Sequence, residues 1–217
     1  MTDGTKTLAK AASHKGRAKR SAAAEPVGLT REDILDEAAR QFRKNGYERT
    51  RLQDIAAHFG VSHAALYYYF RRKSDILIAL NAAAMETLLN GVRELVDVDD
   101  PAVRFERMLD AHIVFVASNL PKMACFFEYD SAVRREDFRP IRHLRRQYHD
   151  TLISTFEQAQ NSGSYTSAIM AETAVHTLIG AVNWMYQWHR PDVPPDLTTL
   201  TQALQAMLAS GYRCSTS

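Results

Sequence analysis

The stretch from Thr50 to Phe70, Thr-Arg-Leu-Gln-Asp-Ile-Ala-Ala-His-Phe-Gly-Val-Ser-His-Ala-Ala-Leu-Tyr-Tyr-Tyr-Phe, constrains this chain more than any other. Thr50 with Gln53 three residues on is a polar pair that opens a helix, and Leu52, Ile55, Ala56 and Phe59 run an apolar stripe along it. Gly60 follows, where the backbone turns without a Cβ clash, and Ser62 supplies an oxygen to cap the next short helix. Two short helices around a glycine turn predict a helix-turn-helix, with Ile55, Ala56, Val61 and Leu66 fixing its angle. Ser62, His63, Ala64, Tyr67 and Tyr68 then face outward, while Tyr69 and Phe70 read as core.

These outward residues suit a nucleic-acid duplex. Hydroxyls of Thr50, Ser62, Tyr67 and Tyr68 donate to phosphate oxygens in this reading, and Arg51 and Lys73 add charge. Ala64 is small enough to approach a thymine methyl, and His63 reaches a base edge or a phosphate. Charge is distributed accordingly. The 217-residue chain has a net charge of +2, but residues 1–80 hold 15 Lys and Arg against 9 Asp and Glu, and the remainder 12 against 16. A basic amino-terminal third on an acidic body points to a polyanionic partner for that third, or to a solvated basic tail. Residues 1–28 carry Lys6, Lys10, Lys15, Arg17, Lys19 and Arg20 with almost no large apolar side chains, which predicts a disordered basic arm.

Beyond the arm, helix signals repeat and strand signals are absent, so the fold class is all-α. Thr30 caps a helix that carries Ile34, Leu35, Ala38 and Phe42 on one face and stops at Asn45-Gly46. Ser74 with Asp75 opens a long helix to about Glu94, and residues 97–101 form a loop. Further helices are predicted over roughly 101–118, 121–131, 139–161, 167–189 and 196–212, with Pro101, Pro121 and Pro140 at starts and Gly163, Pro191, Pro194 and Pro195 in loops. The boundaries this implies are an arm at 1–28, a helix-turn-helix DNA-binding domain at 29–78 and a larger helical domain at 79–217.

The second domain is dense in large adaptable side chains. Met108, Phe115, Phe126, Phe127, Tyr129, Tyr148 and Trp184 are either plain core or the wall of an apolar cavity, with His112, His176 and Asn183 as its polar contacts. Other function classes find little support. No nucleophile elbow, phosphate loop, dinucleotide fingerprint or metal-spaced cluster is present, and His143 and His149 are six apart, off one helix face. An enzyme is therefore not expected, nor a cofactor or metal. A redox- or metal-sensing regulator would have to rest on Cys125, without a resolving thiol. No run of about 18 uncharged apolar residues and no secretory signal occurs, and the two cysteines are too few for a disulfide framework; a reduced, cytoplasmic protein without membrane contact is expected.

The run Ile55-Ala56, Gly60-Val61-Ser62, Leu66-Tyr67 and Phe70, followed by Lys73-Ser74, resembles the amino-terminal domain of the TetR family of repressors over about residues 31–80. Ala64 stands where the family often has Gly, and Tyr68-Tyr69 where a His pair or a Tyr-His pair is common, which leaves the operator sequence open. The resemblance implies a homodimer on a near-palindromic double-stranded operator, repression, and release by a small apolar effector. It also implies that helices 167–189 and 196–212 pair with their partners. Leu178, Val182, Leu200, Leu204, Met207 and Leu208 are then interface or core. The segment Asn183-Trp-Met-Tyr-Gln-Trp-His-Arg-Pro-Asp192 is similar to a TetR subgroup with Trp-x-x-x-Trp-Tyr-Arg-Pro, several of whose members respond to acyl-CoA thioesters. Arg134, Arg135, Arg139, Arg142, Arg145 and Arg146 would meet the phosphates of such an effector, or form a salt-bridged face near Glu136, Asp137 and Asp150.

Overall fold

Short polar side chains open the first helices of the chain, and the first shows how. Thr30 Oγ1 accepts the Asp33 N–H at 3.1 Å while the Asp33 carboxylate accepts the Thr30 N–H at 2.9 Å, a reciprocal cap for α1, Arg31–Asn45. Gly46 ends the helix at φ 85°, a conformation that side chains with a Cβ rarely adopt. The computed structural model describes residues 28–128, 137–190, 192–193, 196–209 and 211–214; the basic arm lies outside them but for its last residue, as do Tyr129, Arg134, Arg135, Glu136, Pro191, Pro194 and Pro195.

The helix-turn-helix is α2, Leu52–His58, and α3, His63–Tyr69. The start of α2 corrects the sequence reading by one residue: Asp54 accepts the Arg51 N–H at 2.8 Å, so the capping pair is Arg51 and Asp54 rather than Thr50 and Gln53. Ser62 Oγ accepts the Ala65 N–H at 3.1 Å and caps α3 as expected. Helix α4, Lys73–Arg93, opens in the manner of α2, the Asp75 carboxylate accepting the Arg72 N–H at 3.0 Å.

Helix α5, Pro101–Ser118, follows Asp100, whose carboxylate accepts the Ala102 N–H at 2.8 Å. Then come α6, Leu120–Glu128, and α7, Arg139–Asn161. The single helix expected over 167–189 is instead α8, Ala171–Asn183, and the short α9, Met185–Trp188. Residues 164–166 are diverted to the carboxyl-terminal segment: Thr166 N–H donates to Tyr212 O at 2.9 Å and Cys214 N–H to Ser164 O at 3.0 Å. At Trp184 the helix tightens, Gln187 N–H reaching back three residues to Trp184 O. Helix α10, Leu197–Ala209, completes the order. Among the described residues the one β feature is an isolated Tyr165–Arg213 bridge, so the architecture is all-α.

Helix α4 is the spine. By length and composition it is apolar enough to cross a membrane, yet it packs against α5, α6 and α7 with Leu77, Leu80, Met85, Leu88 and Leu89 buried, which is the behaviour of a core helix. Helix α7 packs on α5 and α8, and α10 on α5. Leu109, Ile113, Val116, Leu152, Phe156 and Val182 show no exposed surface, each worth about 1.5–3 kcal/mol of burial. Leu178, Val182 and Leu200 belong to this core, Leu204 packs partly against it, and Met207 is 73% exposed.

Candidate DNA-reading surface and effector cavity

Helix α3 presents the face that its pattern predicts. Leu66 is wholly buried and Phe70 nearly so, which turns Ser62, His63 and Ala64 to solvent and leaves Tyr67 45% and Tyr68 51% exposed. The His63 and Tyr67 rings meet edge-on at 4.5 Å on that surface. Tyr69 points the other way, and its hydroxyl donates to Leu29 O at 2.7 Å, tying α3 to the segment that leads into α1. Arg51 is exposed beside this face.

Thr50 and Lys73 do not present free groups to a phosphate. Thr50 is 2% exposed, and its hydroxyl donates to Gly46 O at 2.9 Å, closing the turn between α1 and α2. Lys73 Nζ donates to Tyr47 O at 2.5 Å, Glu48 O at 3.2 Å and Thr50 O at 3.1 Å, carbonyls that the same turn leaves without helix partners. Partial burial pulls the Lys73 pKa down from its ordinary value. Both residues shape the reading head from within. The sequence reading also missed Glu37, buried on α1, whose carboxylate meets Arg40 Nη2 at 2.8 Å and His58 Nδ1 at 3.3 Å and so ties α1 to α2.

The second candidate site is a partly open cavity of about 190 Å³ between α4, α5, α6, α7 and α8. Of the expected effector residues, His112, Phe115, Phe126, Phe127 and Asn183 line it. Met108 and Tyr148 are buried behind the wall rather than on it. Trp184 is 60% exposed and off the wall, and His176 is also exposed, its ring 5.0 Å from that of His149, which does line the cavity. Tyr129 lies outside the described residues. The wall also includes Met123 and Arg145, together with Ala84, Met85 and Leu88 from α4, Ile179 and His149, and these last five composition alone does not single out.

Polar groups around the cavity are tightly organised. His112 Nδ1 lies 2.9 Å from Tyr148 Oη and Nε2 lies 3.0 Å from Asn183 Oδ1. Burial pushes the His112 pKa down to about 4, so the imidazole is neutral at pH 7. His149 is lowered as well, first by burial and then by His176 and Arg145. The Arg145 guanidinium lies 4.5 Å from the centre of the Phe126 ring. Among the described residues no group of three or more His, Cys, Asp or Glu is placed to hold a metal. Cys125 is buried on α6 and its thiol is pushed up to about 12 by that burial, which disfavours the thiolate a redox sensor needs.

Both sites meet in α4 and α6. The first residue of α4 clamps the turn of the reading head, while its middle forms the cavity wall. One face of α6 gives Met123, Phe126 and Phe127 to the cavity, and the other rests on α1 through Lys122–Asp36 at 2.6 Å and Cys125 Sγ to Ala39 O at 3.9 Å. A three-helix reading head, coupled through shared helices to a larger helical domain with a cavity, is the architecture of a DNA-binding regulator.

The comparisons with known proteins agree. The model of bacterial regulatory proteins of the tetR family matches residues 34–80, and that of the tetracyclin repressor-like C-terminal domain matches residues 98–212. The chain belongs to the TetR family of transcriptional regulators. It is similar to the fatty acid metabolism regulator protein of Bacillus subtilis, 24% identical over 183 residues that make up 82% of this chain and 93% of that protein. The crystal structure of the TetR family regulator PfmR from Thermus thermophilus superposes with a TM-score of 0.74 at 27% identity, covering 81% of this chain and 96% of that one. The structure of AibR in complex with isovaleryl coenzyme A and operator DNA superposes at 0.71 with 24% identity, covering 81% and 96%.

Proposed function

We propose that this protein is a homodimeric repressor that holds a near-palindromic operator and releases it when a short acyl effector enters the α4–α8 cavity. The observation that carries this reading is the double role of α6: three of its side chains wall the cavity while two others hold α1 of the reading head. A ligand that favours one position of α6 therefore biases the position of the head, and it acts as a switch to the extent that it prefers one position. Two recognition helices, one from each protomer, sit in successive major grooves roughly 34–36 Å apart in this arrangement. Exposed Ser62, His63, Ala64, Tyr67, Tyr68 and Arg51 are the contacting residues.

The cavity volume bears on the effector. At about 190 Å³ it lies below the roughly 300–1,000 Å³ of sites that engulf a drug-sized molecule. It takes an acyl chain and leaves any carrier outside. The names of two relatives, a fatty acid regulator and a protein crystallised with isovaleryl coenzyme A, support an acyl thioester. Arg142 and Arg146, exposed on the helix that contributes Arg145 and His149 to the wall, are placed to meet the phosphates of coenzyme A. The test is a titration of protein bound to a duplex selected from random DNA, using acyl-CoA thioesters of increasing chain length. Release by short or branched chains supports the proposal; unchanged affinity across the panel sinks the effector while leaving the DNA reading in place.

A further inference from the structure

Four polar side chains reach the cavity wall, His112, Arg145, His149 and Asn183, among residues that are otherwise apolar. Hydrogen bonds inside the protein decide what they show a ligand. A neutral imidazole has one N–H and one bare nitrogen, so the 2.9 Å contact to Tyr148 and the 3.0 Å contact to Asn183 allow two arrangements. In the first, the Tyr148 hydroxyl donates to Nδ1 and Nε2–H donates to Asn183 Oδ1. In the second, Nδ1–H donates to the Tyr148 oxygen, Nε2 accepts from a rotated Asn183 amide, and the Tyr148 O–H must find another acceptor. Tyr148 is 1% exposed, and among the described residues His112 Nδ1 is the partner of its hydroxyl. The second arrangement strands a buried donor, so the first holds. A doubly protonated ring is disfavoured by burial.

The consequence reaches the cavity. Asn183 Oδ1 is occupied, so what this lining side chain has left to offer a ligand is its two amide N–H donors, on a wall shared with the donor-only guanidinium of Arg145 and the imidazole of His149. We infer that the Asn183–Arg145 side of the cavity offers donors to an oxygen acceptor on a short apolar group, with Asn183 Nδ2 recognising a ligand carbonyl and Tyr148 setting that polarity through His112. A cavity of about 150 Å³ accepts benzene, so about 190 Å³ accepts a group slightly larger. This inference rests on the reading of the cavity as the effector site, and it adds what the effector must present there. His112 and Tyr148 are positioning residues; Asn183 makes the contact.

Two probes of one shape test it: methyl isobutyl ketone, and the alkene that has CH2 in place of its oxygen. Desolvation alone favours the alkene, so preference for the ketone requires a hydrogen bond. Calorimetric titration of the full chain without DNA should show the ketone bound at least about tenfold more tightly. Asn183→Leu should abolish that preference while still binding the alkene, which shows the cavity intact, and Tyr148→Phe should narrow it. Equal binding of the two probes, binding of neither, or a ketone preference that survives Asn183→Leu overturns the inference. A cavity that prefers the ketone yet leaves operator affinity unchanged when filled would sink the switch and leave the donor wall standing. Operator release by an acyl thioester without any ketone preference would do the reverse.

Discussion

The ammonium of Lys73 lies 4.1 Å from the centre of the Tyr47 ring and donates to the Tyr47 carbonyl. The first residue of the spine helix thereby holds the turn between α1 and α2, so the angle of the reading head and the path of α4 are set together. Each hydrogen bond to a charged group contributes about 1.5–3 kcal/mol when its loss leaves partners unsatisfied, though part of this one is exposed to water.

Lys73→Met should therefore cost roughly 2 kcal/mol and lower the melting temperature by roughly 4–8 °C in a chain of this size. Operator affinity should fall in proportion to loss of fold, with the salt dependence of the remaining binding unchanged. A variant of normal stability and flattened salt dependence would return Lys73 to the role of a phosphate contact.

The lowered pKa of His112 links stability to pH. Its folded value of about 4 lies below the ordinary 6.5, so the unfolded chain binds the extra proton first. The contribution is complete above pH 6.5 and is lost as pH falls from there toward 4, on the order of 3 kcal/mol in all. Melting curves of wild type and His112→Gln, taken in steps between pH 7 and pH 4, should show the wild type losing stability faster. Parallel curves would mean that His112 is not held neutral.

How much of this was legible beforehand differs by element. Helix α7 is expected over 139–161 and found as Arg139–Asn161, because Pro140 and Gly163 act locally and nothing distant competes. The start of α2 is off by one residue since Thr50, Arg51 and Gln53 offer competing caps, and the choice is settled by a hydroxyl that turns inward to Gly46. The late start of α8 goes with pairing between residues 164–166 and 212–214, which no local pattern records. In the cavity, Phe127 and Trp184 look alike as composition, and only packing shows that one lines the wall and the other faces solvent. The His112–Asn183 bond joins residues 71 apart in sequence, so both could be named as polar candidates but not as a pair.

Arg51 is the exposed cation nearest in sequence to the reading helix pair, and counterion release makes its role measurable. Arg51→Ala should reduce the slope of log affinity against log salt by about 0.9 for each phosphate that is no longer neutralised, twice that for a dimer. Tyr67→Phe, which removes an uncharged donor, should weaken binding with the slope intact. An unchanged slope in Arg51→Ala would place that side chain off the phosphates.

Cys125 tests the alternative of redox sensing. Burial and a thiol pushed up to about 12 leave almost no thiolate at neutral pH. Operator affinity should be the same before and after treatment with hydrogen peroxide, and Cys125→Ala should behave as wild type in that assay. A peroxide-dependent release abolished by Cys125→Ala would overturn this.

Filling the cavity separates the two sites most directly. Ala84 is 7% exposed on α4 and lines the wall, so Ala84→Leu sends three more carbon atoms into a space of about 190 Å³ without touching the reading head. Added apolar contact in an existing void tends to stabilise, so the melting temperature should hold or rise. The free protein should bind operator within about twofold of wild type, because the surface of α3 and the Lys73 clamp are unchanged. The concentration of acyl thioester needed for release should increase by more than about tenfold, since the acyl chain and the new side chain compete for one volume. Operator titrations with and without ligand read both effects in one experiment. If release persists at wild-type concentrations, the effector acts elsewhere, and the link through α4 and α6 is not the route of the switch.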